Sequence, residues 1–250
     1  MRIVSLVPSL TETLVEFGLA SSLVGRTRWC TEPAGVVAGI EAVGGTKNPD
    51  VARIVALRPD LVVVNKEENR LEDCRELEAA GLRLHVTHPC TVEEAASMLA
   101  ELGAACGAAE QGERLAARCR EALAAARSRG EGRVPVPTFC PIWRRPWMTF
   151  RRATYIGDML ASAGCANVFG ERGAPDFFEV ALDDVVAAAP ALVVLPDEPF
   201  AFEEKHATEL RGAGLDRARF LFADGKDLAW YGPRIPAALE RLSSAVAASR

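Results

Sequence analysis

Short aliphatic runs alternate with amphipathic stretches along most of the chain. "RIVSLV" (2–7) reads as a strand, and "SLTETLVEFG" (9–18) carries a helical period. Ser9 is the expected N-cap of that helix, with Glu12 three residues on and Gly18 as its stop. "LVGRT" (23–27) predicts a second strand. "NPDVARIVALRP" (48–59) predicts a helix, with Asn48 at the N-cap and Pro49 at the first helical position. It leads into "DLVVVN" (60–65), an unbroken apolar run of the kind buried on both faces of a parallel sheet. A helix over 69–80, a strand over 82–87 and a helix over 91–103 complete a first α/β unit ending near Gly103.

The segment 107–129, "GAAEQGERLAARCREALAAARSR", is dominated by strong helix formers. A helix of that length spans roughly 30 Å and reads as a stiff spine, stopped by Gly130 and Gly132. The α/β rhythm then resumes: strand 133–139, helices 154–163 and 182–189, strand 191–195, helix 203–213, strand 219–223 and helix 233–248. "VARIVALRPDLVVV" (51–64) and "LDDVVAAAPALVVL" (182–195) align without gaps, Pro59 on Pro190, which indicates duplicated architecture. The expected fold is therefore α/β: two Rossmann-like lobes joined by one long rigid α-helix, with a ligand cleft between the lobes. The expected boundaries are 1–104 for the first lobe, 105–131 for the connecting helix and 132–250 for the second lobe.

Composition narrows the partners. A net charge of −5 and a pI near 5.4 do not suit a dedicated nucleic-acid binder. No apolar run is long enough to span a membrane. "MRIVSLVPSLTETL" turns polar too soon for a secretory segment, so the sequence as written reads as cytoplasmic; a trimmed mature form would instead be periplasmic or on the cell surface. Seven cysteines without CxxC or regular spacing read as buried reduced thiols.

Catalytic constellations are not evident. His85 and His88 flank a strand end near Cys90, but strand residues three apart point to opposite faces. There is no GxSxG elbow, and "VGGTK" (43–47) lacks phosphate-loop spacing. Asp183-Asp184 and Glu203-Glu204 sit at helix starts, where the helix dipole accounts for them. The large aromatics stand out instead. Trp29, Trp143, Trp147 with Met148, Phe177 with Phe178, and Trp230 with Tyr231 all fall in segments read as loops. A large aromatic in a loop calls for a reason. "PIWRRPWMTF" (141–150) interleaves two tryptophans with arginines, as either a nucleic-acid platform or the wall of a pocket for a flat anionic molecule would.

"RIVSLVPSLTETLVEFG", "VGRTRWCTEP", "PDVARIVALRPDLVVVNKEEN", "RRPWMTFRRATYIGDMLASAGCANVF" and "DLAWYGPRIPAAL" together resemble the helical-backbone (class III) substrate-binding proteins of ABC importers. They look most like the cobalamin-binding branch, which also includes haem and ferric-siderophore receptors. The resemblance covers nearly the whole chain. It implies a non-enzymatic monomer with no intrinsic cofactor, holding cobalamin or a related corrinoid in the cleft. It places Trp29, Trp147, Met148, Phe177, Trp230 and Tyr231 at ligand-facing positions, with Asn65 and Arg144 as further contacts. Asn65 and Thr46 stand where the best-known cobalamin receptors carry tryptophans. It also implies an ABC permease partner docked through acidic tips, here Glu68 and Glu204. For haem or a ferric siderophore, Tyr231 would be the iron ligand, with Tyr155, His85 and His88 as the other candidates. Two other readings stay open: a cytosolic corrinoid handler or enzyme using Cys30 or Cys140, and an interaction protein that has lost its ligand.

Overall fold

The computed structural model describes residues 1–248, which fall into two compact units. The first comprises residues 1–89, 95–117 and Tyr231–Pro233; the second comprises 90–94, 118–230 and 234 onward.

In chain order the first unit holds β1 (Ile3–Ser5), α1 (Pro8–Glu16), β2 (Leu23–Arg26), α2 (Ala34–Val37), α3 (Val51–Ala56), β3 (Leu61–Asn65), α4 (Leu71–Ala79) and β4 (Leu84–Thr87). Most of α5 (Val92–Ala105) and the start of α6 (Ala109–Gly130) belong to it as well. Its sheet is parallel, in the order β2-β1-β3-β4. The side chains that fill the core around β3 are aliphatic: Val4, Leu6, Val43, Ile54, Val62, Val64 and Leu77.

The second unit continues with β5 (Val136–Phe139), β6 (Met148–Phe150), α7 (Tyr155–Ser162), β7 (Cys165–Asn167), β8 (Phe177–Glu179) and α8 (Leu182–Ala187). It closes with β9 (Leu192–Pro196), α9 (Glu204–Leu210), β10 (Arg219–Ala223), α10 (Gly225–Ala229) and α11 (Ile235–Ala248). Its main sheet is also parallel, ordered β10-β9-β5-β7, and β6 pairs antiparallel with β8. Its core mixes Val185, Val193 and Leu195 with Phe139, Phe178 and Phe202.

The repeat seen in the sequence is repeated in space. α3–β3 and α8–β9 are a six-residue helix followed by a five-residue, fully buried strand in each case. Both strands lie inside their sheets, each beside the first strand of its unit. Both links also contain a left-handed non-glycine residue just before the matched proline: Arg58 at φ 48° and Ala189 at φ 46°. Two L-residues in so unfavourable a region, at matched positions, mark one backbone path used twice.

Several local expectations are corrected. α1 begins at Pro8 with extended Val7 as its N-cap, and no side chain caps it, so Ser9 lies inside the helix. Asp50, not Asn48, caps α3 by accepting from Arg53 N at 2.9 Å. Asn48 is held short of the helix because its carbonyl accepts from Gly45 N, while Asp50 N donates to Val43 O. α9 ends at Leu210, and Gly214 at φ 119° breaks the following turn. The β6–β8 pair was not foreseen, because two three-residue strands carry too little alternation to register.

Candidate functional site

Ligands of parallel α/β sheets gather beyond the carboxyl ends of the strands. In the first unit that end is fastened by amides. Asn65, the last residue of β3, is buried, and its Oδ1 accepts from Glu67 N at 2.8 Å and Glu68 N at 3.2 Å. Its Nδ2 donates to Thr87 Oγ1 on the neighbouring strand, and its own N–H donates to Asn69 Oδ1. Asn69 Nδ2 in turn reaches Leu6 O and Thr46 O. One amide pair thus ties together the loops after β1 and β3 and the 44–49 turn.

This framework carries Glu67 in a defined position. Its carbonyl accepts from Lys47 Nζ at 2.6 Å, and its Oε2 accepts from the Tyr231 hydroxyl at 3.2 Å. Tyr231 is only 4% exposed; burial, with the Glu67 and Glu68 carboxylates beside it, pushes its phenol well above the ordinary range. His88, exposed just past β4, sets its Nε2 4.0 Å from Glu67 Oε1. Trp29, in the loop after β2, is 60% exposed.

In the second unit the corresponding end is built of rings. Trp147 stacks on Phe202 at 5.9 Å with the planes 7° apart. Phe200 lies 4.8 Å from Phe202, and the Trp143 ring meets Phe200 edge-on at 5.6 Å. His206 packs edge-on against both phenylalanines, and its Nδ1 accepts from Glu203 N at the start of α9. The Arg144 guanidinium lies over Trp147 at 5.7 Å. The 141–147 turn is held to β6 through Ile142 N–Met148 O and Met148 N–Trp143 O, and Met148 itself stands in β6, half-buried. Trp143 (43%) and Phe177 (36%) remain exposed.

The arginines here carry partners. Arg144 pairs with Glu209 at 2.6 Å, Arg151 with Asp176, and Arg152 with Glu171 at 3.8 Å. Trp230 lies under Lys226 Nζ at 5.2 Å and Arg234 Cζ at 5.3 Å. Its indole hydrogen-bonds the Glu198 carboxyl, which burial pushes upward. Glu204, exposed on α9, pairs with Arg211.

Of the residues expected to face a ligand, the structure thus leaves Trp29 and Phe177 open. Trp147 and Trp230 have rings or cations against them, and Asn65 and Tyr231 spend their polar atoms on the chain itself. The Phe200–Phe202–His206 bed was missed; its one signal was the aromatic pair in "PFAF" directly after a strand end. Cys30 and Cys140 are buried thiols pushed up by that burial, which leaves neither a reactive thiolate at neutral pH. Among the described residues no group of three or more His, Cys, Asp or Glu side chains is placed to hold a metal ion. No described helix is long and apolar enough to cross a membrane.

Two α/β units, each with a parallel sheet of the same strand order, match a known class of protein. The family described as periplasmic binding protein matches residues 3–208, and the chain belongs to it. The vitamin B12-binding protein of Photorhabdus laumondii is 25% identical over 195 residues, covering 78% of this chain and 70% of that protein. The apo periplasmic haem-binding protein RhuT of Roseiflexus sp. RS-1 superposes with a TM-score of 0.85 at 25% identity, over 99% of this chain and 98% of that one. The periplasmic vitamin B12-binding protein BtuF of Vibrio cholerae shares the fold, with a TM-score of 0.84 at 19% identity over 99% and 97% of the two chains. The cytoplasmic expectation draws no support from this family, which is described as periplasmic.

Proposed function

We propose that the protein binds a corrinoid through the carboxyl-end loops of its units and delivers it to an ABC permease, with Glu68 and Glu204 as docking carboxylates. The observation that carries this reading is the exposure of Trp29, Trp143 and Phe177 on those loops. Each is an apolar face of the size a flat macrocycle covers, and each ring contact is worth about 0.5–1.5 kcal/mol beyond the area it buries. The vitamin B12-binding relative at 25% identity supports the ligand class.

Haem is the second reading, favoured by the haem-binding relative at the same identity. Charge separates the two. Haem carries peripheral carboxylates, which call for unspent cations, whereas a corrinoid edge is mostly neutral amide. The pairing of Arg144, Arg151 and Arg152 with Glu209, Asp176 and Glu171 suits the neutral edge.

Tryptophan quenching on titration with cobinamide, cobalamin and ferric haem tests the proposal. Corrinoids should quench at micromolar concentrations, and Trp143→Ala should weaken them about tenfold. Quenching by haem alone would move the assignment to the second reading; no quenching by any of them would overturn both.

A further inference from the structure

The second unit holds a cavity of about 490 Å³ walled by the close of α6, the close of α7 and the segments leading into β5 and β7. Pro135 and Gly164, directly before those strands, are part of its wall. The cavity therefore lies at the amino ends of the strands, whereas Trp147 and Phe202 follow the carboxyl ends of β5 and β9 and do not line it. We infer that this cavity is a second binding site, for a small zwitterion that carries an anionic group and an ammonium a few bonds apart.

Unspent charges of both signs line it. Arg127, Glu131 and Arg133 are exposed on its wall, and none of the three forms an ion pair among the described residues. Their neighbours behave differently: Arg129 pairs with Glu240 at 2.8 Å, and Glu110 pairs with Arg114 one turn on in the same helix. Glu131 stands just past the end of α6, where no such pairing is made with Arg127 four residues back. Two free guanidiniums call for an anion, and a free carboxylate calls for an ammonium. The C-termini of α6 and α7 add partial negative charge, which favours a cation and disfavours a lone anion. A molecule bearing both charges satisfies every one of these groups.

A hydroxyl supplies the second observation. Ser162, the last residue of α7, lines the cavity at 6% exposure, and its Oγ has no hydrogen-bond partner among the described residues. A buried helical serine can return its hydroxyl to the carbonyl one turn back, as Ser243 does to Leu239 O at 2.6 Å. Ser162 does not, and a buried polar group left so costs free energy until a partner arrives. A ligand seated between the two helix ends would bring that partner.

Calorimetric titration with O-phosphoethanolamine, ethyl phosphate and ethylamine tests this. The aminoalkyl phosphate should bind roughly fivefold or more tighter than either single-charge fragment. Arg127→Ala and Arg133→Ala should each weaken it roughly fivefold, and Glu131→Gln should bring it down to the affinity of ethyl phosphate. Ser162→Ala should also weaken it, while the urea midpoint of the ligand-free protein stays unchanged or rises because the orphaned hydroxyl is gone. Sedimentation with phosphatidylethanolamine vesicles, lost when both arginines are replaced by alanine, would support the same site with a lipid head group as the source. Equal binding of ethyl phosphate, binding that survives loss of both arginines, or no binding of any probe overturns the inference.

Discussion

The two units use one sheet topology and finish its carboxyl end by opposite means. β3 and β9 occupy equivalent places and end at Asn65 and Pro196, which the repeat aligns. After Asn65 the chain is turned by amide hydrogen bonds over an aliphatic core. After Pro196 it carries Phe200 and Phe202 into a ring stack that continues the aromatic core outward to Trp147 and Trp143. Strand order therefore does not dictate how the loops are held. A hydrogen-bonded frame sets directions for polar groups, whereas a ring stack presents a broad, stiff, apolar face. One scaffold thus supplies both kinds of surface.

The largest expected effect separates structural from ligand-supporting core. Phe202→Ala should cost about 3–5 kcal/mol and Leu77→Ala about 2–5 kcal/mol in urea unfolding. Only Phe202→Ala should also weaken macrocycle-dependent quenching, because Trp147 loses its stacked support; equal binding losses in both variants would break the contrast. Next, Asn65→Ala leaves the Glu67 and Glu68 amides without their acceptor and should cost about 1–3 kcal/mol. At the equivalent position Pro196→Ala should cost about 0.4–1 kcal/mol, the value of the lost chain restriction.

A smaller pair of variants addresses what the units share. Arg58→Gly and Ala189→Gly relieve the same left-handed strain, and each should gain up to about 1 kcal/mol in the urea midpoint analysis. Gains at only one site would show that the two links are not equivalent.

The subtlest effect is a pH dependence contributed by His206 in the second unit. Burial, then Lys205 and Arg144, hold His206 below its ordinary value of 6.5, against the opposing Glu203 and Glu209. The folded chain binds this proton less readily than the unfolded chain. The contribution is therefore complete above the ordinary value and lost as pH falls through the lowered one. Urea midpoints compared at about pH 7.5 and about pH 5 should show the loss, and His206→Gln should reduce it, since glutamine preserves the cap without titrating.

Much of the scaffold was legible because it rests on local signals. The helix–proline–aliphatic pattern at 51–64 and 182–195 announced both the strands and the duplication. The tryptophans read as loop residues include two, Trp29 and Trp143, whose rings stand exposed. What escaped depends on partners distant in sequence. Nothing local marks Asn65 as a buried hub rather than a ligand contact, since Thr87, Asn69 and Thr46 reach its network only in the fold. The β6–β8 pairing likewise joins residues far apart in sequence, Met148, Thr149 and Phe150 with Glu179, Phe178 and Phe177.

The three residues Tyr231–Pro233 belong with the first unit although they follow the last strand of the second. Gly232, at φ 118°, passes so close to Thr13 that a Cβ there would lie 2.2 Å from its hydroxyl oxygen. On a ribosome, the strands of the first sheet emerge early, yet Gly232 and Tyr231 can join Thr13 and Glu67 only after the last strand of the second unit has been made. The first unit must then wait in an unfinished state, and a nascent chain halted before residue 231 would present that gap to proteases and chaperones.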